Sequence, residues 1–109
     1  MTTQTAIPVV TDDQARTRIV ELAMESDFEQ MVQQAKRLVP RLRQIRVTLE
    51  HDPEGIEEPG LVIWCHRDKT DWETDRSEDE WANWKLEKFS AQVAINFVMI
   101  TVYEGGHEW

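Results

Sequence analysis

The chain has 109 residues, with 12 Lys and Arg against 21 Asp and Glu, for a formal net charge of −9 with histidine neutral. That length suits one domain whose core needs no disulfide or metal, and that charge argues against general binding to nucleic-acid backbones, which rests on several Lys or Arg contacts. A lone cysteine, Cys65, excludes an intramolecular disulfide, and no apolar run approaches the roughly 20 residues of a membrane span or the apolar segment of a secretory signal. The expected setting is cytoplasmic.

Residues 1–10 carry no charged side chain and end in Ala6-Ile7-Pro8-Val9-Val10. Pro8 lacks an amide donor and counts against a central strand there, so these residues are assigned to an N-terminal tail and 11–109 to a single α+β domain. Thr11-Asp12-Asp13-Gln14 has the form of a capping box and opens a helix over 12–24, with Ala15, Ile19, Leu22 and Ala23 on its apolar stripe. Phe28, Met31, Val32, Ala35, Leu38 and Val39 form a second stripe about half a turn out of phase with the first. Ser26-Asp27-Phe28-Glu29 offers a second capping box where the phase changes. Two helices result, 12–24 and 27–39, with Pro40 closing the second.

In 45–50 the apolar residues Ile45, Val47 and Leu49 alternate with Arg46, Thr48 and Glu50, the period of a strand with one buried face. The run 61–66, Leu-Val-Ile-Trp-Cys-His, is apolar on both faces nearly to its end, as expected of a central strand covered on both sides or paired on both edges. Between them the Pro- and Gly-containing stretch 52–60 is a long hairpin loop. Cys65, inside that apolar strand, reads as a buried thiol. Ser77-Glu78-Asp79-Glu80 gives a third capping box and starts a helix over 78–92 with the stripe Ala82, Leu86, Phe89 and Val93; Trp84 falls nearly opposite that stripe. The β-branched and aromatic run to Tyr103 closes the fold as a strand over 95–103 before Gly105-Gly106.

The element order ααββαβ gives a two-layer α+β sandwich with the helices on one face of a three-stranded mixed sheet, the last strand parallel to the second through a right-handed crossover. If residues 5–10 form a strand, the order becomes βαββαβ, the ferredoxin-like arrangement.

No stretch has the spacing of a nucleotide-binding loop, a nucleophile elbow, a calcium loop or a zinc-protease helix. Cys65 and His66 are neighbours on a strand and point to opposite faces, which separates the most tempting pair of metal ligands. A parallel last strand brings His66 and His107 to the same end of the sheet, leaving a weak two-histidine metal candidate with Asp68 or Glu108 nearby. No cofactor is expected, and no residue is assigned a catalytic role.

Charge is unevenly spread: Lys36, Arg37, Arg41, Arg43 and Arg46 occur with no acid among 36–46, whereas 47–80 holds twelve acids and three bases. Of five tryptophans, Trp64 and Trp81 are assigned to the core or its margin. Trp72, Trp84 and Trp109 have no evident buried place, and exposed Trp beside acids suits a protein interface. The expected function is a small acidic, non-catalytic protein-interaction module, of adaptor, inhibitor or chaperone type. Trp72, Trp84, Asp71, Glu73 and Trp109 are its partner-binding residues. A homodimer through a strand edge or the Trp84 face is a further reading, and an alternative from another class is a small enzyme or ligand-binding domain using His66, His107 and nearby carboxylates.

Overall fold

The computed structural model describes residues 7–51, 54–55, 59–68 and 76–104, apart from the side chains of Tyr103 and Glu104. Their order is β1 (Val9–Thr11), α1 (Asp13–Glu21), α2 (Glu25–Leu38), β2 (Leu42–Glu50), β3 (Gly60–Asp68), α3 (Ser77–Lys88), α4 (Ala91–Ala94) and β4 (Phe97–Glu104). The strands lie side by side as β1-β2-β3-β4, with β1 parallel to β2, β2 antiparallel to β3 and β3 parallel to β4.

The α+β sandwich with a mixed sheet is therefore present, and it has four strands where the sequence predicts three. The added strand is β1, at the sheet edge. Pro8 stands just outside it and its carbonyl accepts a 2.9 Å hydrogen bond from the Ile45 N–H, so the proline supplies an acceptor where its missing donor costs nothing. The ferredoxin-like alternative matches this order of elements but not its pairing. There a strand intervenes between the two that flank the first helical segment, whereas here β1 and β2 are direct neighbours.

Alternation along each strand sorts the side chains into two faces. One face carries Val9, Ile45, Cys65 and Thr101 in one row, Thr11, Val47, Ile63 and Met99 in the next, and Leu49, Leu61 and Phe97 in a third. On it lie Ala15 and Ile19 of α1, Met31, Val32 and Ala35 of α2, and Trp81 of α3, which together with most of those strand residues form the core. All of the residues in the stripes predicted for the first two helices are buried or half-buried except Ala23, which is exposed. Phe28 stacks on Phe97 with ring centroids 6.2 Å apart, tying the start of α2 to β4.

The phase change between those helices is made by a left-handed turn at Ala23, φ 55°. The Met24 N–H donates to the Ile19 carbonyl and the Ala23 N–H to the Val20 carbonyl, the two bonds of a Schellman motif that normally has glycine at the left-handed position. An Ala there crowds its Cβ against the carbonyl that follows. Ala23→Gly is expected to raise stability by about 0.5–1 kcal/mol, read as a higher urea midpoint at unchanged slope.

None of the three predicted capping boxes forms. Thr11 is drawn into β1, and α1, α2 and α3 have Asp12, Met24 and Arg76 at their caps with no side-chain cap bond. Ser26 falls inside the first turn of α2. Ser77 is buried in the first turn of α3, where its hydroxyl accepts from Arg67 Nη1 at 3.4 Å, so tertiary contact takes the group that local capping would have used.

The predicted helix over 78–92 is two: α3 ends at Lys88, and Ser90 caps the short α4 by accepting from the Val93 N–H. Its buried face also differs from the predicted one. Trp81 is 1% exposed and its Nε1–H donates to the Met31 carbonyl at 3.0 Å, while Leu86 is 62% exposed. Trp84 turns toward the core beside Trp81 and meets Phe89 edge-on, with centroids 5.5 Å apart. Two indoles bury more apolar area than Ala82 and Leu86, so the helix rotates to bring them inward.

Candidate functional site

The second face of the sheet is the feature that the described helices leave uncovered. Its rows are Gln44, His66 and Val102; then Val10, Arg46, Trp64 and Ile100; then Thr48, Val62 and Val98. None of these residues belongs to the core that α1, α2 and α3 build. An antiparallel strand with one solvated face alternates apolar inward and polar outward, and β2 obeys that rule with Gln44, Arg46, Thr48 and Glu50. The neighbouring strands break it. On β3 and β4 the outward positions include Val62, Trp64, His66, Val98, Ile100 and Val102, mostly apolar: Val98 is 46% exposed, Trp64, Ile100 and Val102 are half-buried, and Val62 is buried between them at 7% exposure.

Trp64 sits between the two halves, half-buried. Its Nε1–H donates to Thr48 Oγ1 at 2.8 Å, and the Thr48 hydroxyl donates in turn to Glu50 Oε2 at 2.7 Å. This relay satisfies the polar atom of the indole within the protein. It also fixes the ring's direction before anything binds, which lowers the ordering cost of using it as an anchor. At the β2 margin Arg46 pairs with Asp12 at 3.4 Å and Arg43 with Asp68 at 2.9 Å.

At the other edge of the sheet, α3 reaches over the outer side of β4. The Thr101 N–H and hydroxyl both donate to Glu78 Oε2 at 2.7 Å, and Lys85 Nζ donates to the Phe97 carbonyl at 2.6 Å. Side chains thus occupy two outward backbone groups that would otherwise be open to a strand from another chain. Lys85 also lies 5.3 Å from the centre of the Trp81 ring, and burial lowers its pKa from the ordinary 10.5.

The predicted partner-binding residues fall in different places. Asp71, Trp72, Glu73 and Trp109 lie outside the described residues, as does His107. Trp84 is half-buried against Trp81 and Phe89. His66 is on the open sheet face between Gln44 and Val102, and His51 is at the far end of β2, since Glu50 pairs with Gly60. The two described histidines are therefore not brought together.

A groove of about 450 Å³ runs between α1 and the end of β2, lined by Asp13, Arg18, Glu21, Leu49 and His51 among others. It does not include His66. Among the described residues no group of three or more His, Cys, Asp or Glu side chains converges on a metal-sized position. Cys65 is fully buried, and its thiol is pushed up to about 12 by burial first and the Glu78 carboxylate second, with Arg67 opposing. Such a thiol stays protonated and is a poor nucleophile at neutral pH.

Comparison with protein-family models, curated proteins and solved structures finds no match for the chain. No described helix is long and apolar enough to cross a membrane.

Sequence reasoning missed Trp64 and Glu50 as site residues. The signal was present in the same letters: Val62 and Trp64 on β3, and Val98, Ile100 and Val102 on β4, are apolar at positions where a solvated face should be polar. A both-sided apolar pattern fits a strand covered on both sides or paired on both edges; β3 is paired on both edges, and the described helices cover one of its faces.

Proposed function

We propose that the protein is a small, non-catalytic, cytoplasmic protein-interaction module that docks its partner on the open face of the sheet, with Trp64 as the anchor. The observation that carries this reading is the contrast within one sheet: β2 turns polar residues to the uncovered face, while β3 and β4 turn Val62, Trp64, Val98, Ile100 and Val102 to it. Contiguous exposed apolar surface with a polar rim is typical of binding sites, and Trp is enriched among residues that carry binding energy. The anchor moves from Trp84 to Trp64 because the Trp84 ring is already engaged by Trp81 and Phe89. An adaptor, an inhibitor and a chaperone would all use such a face.

The test is affinity capture from native lysate with the tagged wild type, a Trp64→Thr/Val98→Thr variant and a Leu86→Ser control. Threonine keeps the strand preference of both sites, and Leu86 is exposed on α3, away from the face. A stoichiometric partner held by the wild type and the control and lost by the double variant, with all three melting alike, is the expected result. Capture that survives the double variant contradicts the reading.

A further inference from the structure

The open face carries a feature that says what kind of partner it fits, and this inference rests on the docking reading above. Trp64 and Glu50 are joined through Thr48 by two hydrogen bonds of 2.8 and 2.7 Å, which place an indole and a carboxylate side by side on the uncovered face. Among the described residues, the two arginines at the β2 side of the face each have an acidic partner, Arg46 with Asp12 and Arg43 with Asp68. Glu50 is exposed, and among the described residues no cation pairs with it. An aromatic face next to an unmatched carboxylate suits an arginine or lysine, which stacks on the ring and pairs with the acid.

The wider charge distribution points the same way. The chain carries −9 overall, a balance that disfavours self-association and favours a basic partner. Glu78 sits on the β4 edge, followed by the exposed Asp79 and Glu80. An apolar centre with Glu50 on its β2 side and Glu78 at its β4 edge is complementary to an apolar patch carrying bases.

We propose that the partner is a basic protein surface that places an Arg or Lys side chain on the Trp64–Glu50 pair and apolar residues on Val98, Ile100 and Val102. The probes that test it are two short synthetic peptides, acetyl-Arg-Leu-Arg-Val-Arg-amide and its counterpart with glutamine at each arginine. Each is titrated into the full-length ¹⁵N-labelled chain and followed by the Trp64 indole N–H and by the backbone amides of 48, 50, 62, 64, 98 and 100. The arginine peptide is expected to shift this set in a saturable way. Its affinity should fall about fivefold with the glutamine peptide or with Glu50→Gln, and weaken as salt rises.

Equal binding of both peptides on this face overturns the basic-partner inference and leaves the docking reading standing. Shifts confined to another surface, such as the groove lined by Asp13 and His51, overturn both. No saturable shift with the arginine peptide overturns the inference, as does sedimentation showing a dimer that Trp64→Thr dissociates, because the occupant is then a second copy.

Discussion

Trp81→Ala is expected to cost about 4 kcal/mol of folding stability, the largest effect of any single substitution considered. The side chain is 1% exposed, and it joins α2 to α3 by donating its indole N–H to the Met31 carbonyl at 3.0 Å. Truncation removes the ring and leaves a cavity among Met31, Trp84 and the sheet. It also removes the hydrogen bond that the indole adds to the Met31 carbonyl inside the core. Lys85, poised 5.3 Å from the ring centre, loses its aromatic neighbour as well. Since domains of this size hold about 5–15 kcal/mol in all, the variant should be largely unfolded at physiological temperature or show a urea midpoint far below that of the wild type. A loss under about 1 kcal/mol would mean that α3 does not pack as described.

The second large effect belongs to Cys65 at alkaline pH. Its thiol ionises near 12 in the fold, against an ordinary value of 9.0, because burial penalises the thiolate and Glu78 adds to the penalty. Between those values the unfolded chain has released the proton and the folded chain has kept it. The folded state therefore binds more protons, and stability falls as pH rises. The slope is about 1.4 kcal/mol for each pH unit above 9, or roughly 4 kcal/mol in all, and the contribution is fully present below pH 9. The measurement is a difference between two proteins. Urea unfolding of the wild type and of Cys65→Ala, repeated from pH 7.5 to 10.5, isolates the thiol. The variant should be less stable by a constant amount below pH 9 and should close that gap above it. A gap that does not change with pH would show that the thiol ionises in the fold as it does in the unfolded chain.

Much of the architecture was legible in the residues. The stripe from Phe28 to Val39, the alternation of Ile45, Val47 and Leu49, and the apolar run at 61–66 each became the element predicted, because burial of a regular apolar pattern is the largest local term in folding. The central place of β3, the parallel last strand and the helices on one face followed from the same patterns. What failed was decided by tertiary competition. Val9–Thr11 is too short to announce itself and is held by the Pro8 carbonyl and by pairing with β2. The face of α3 was set by Trp81 and Trp84 outweighing Ala82 and Leu86, which periodicity alone does not weigh. The capping boxes failed for a related reason, since Thr11 and Ser77 found partners elsewhere in the fold.

The candidate site was less legible. Exposed tryptophan was sought among acidic neighbours at 71–73, in Trp84 and in Trp109, yet the anchor proposed lies on the central strand. Trp64 looks like a core residue in one dimension. Only pairing with β2 and β4 shows that it faces away from the described helices, across from Arg46 and Ile100, with Thr48 within reach of its indole N–H and Glu50 one hydrogen bond further on. The pairing register, which no single stretch of sequence contains, turns a buried-looking aromatic into a surface one.

The central claim, that the uncovered sheet face is the docking surface, is tested most directly by calorimetric titration of the captured partner into the wild type and into the Trp64→Thr/Val98→Thr variant. The variant is expected to bind at least about thirtyfold more weakly, the 2 kcal/mol expected when an anchor is removed, with the melting transition of the free protein unchanged. Equal affinity for the two proteins would contradict it and move the interface to another surface of the fold.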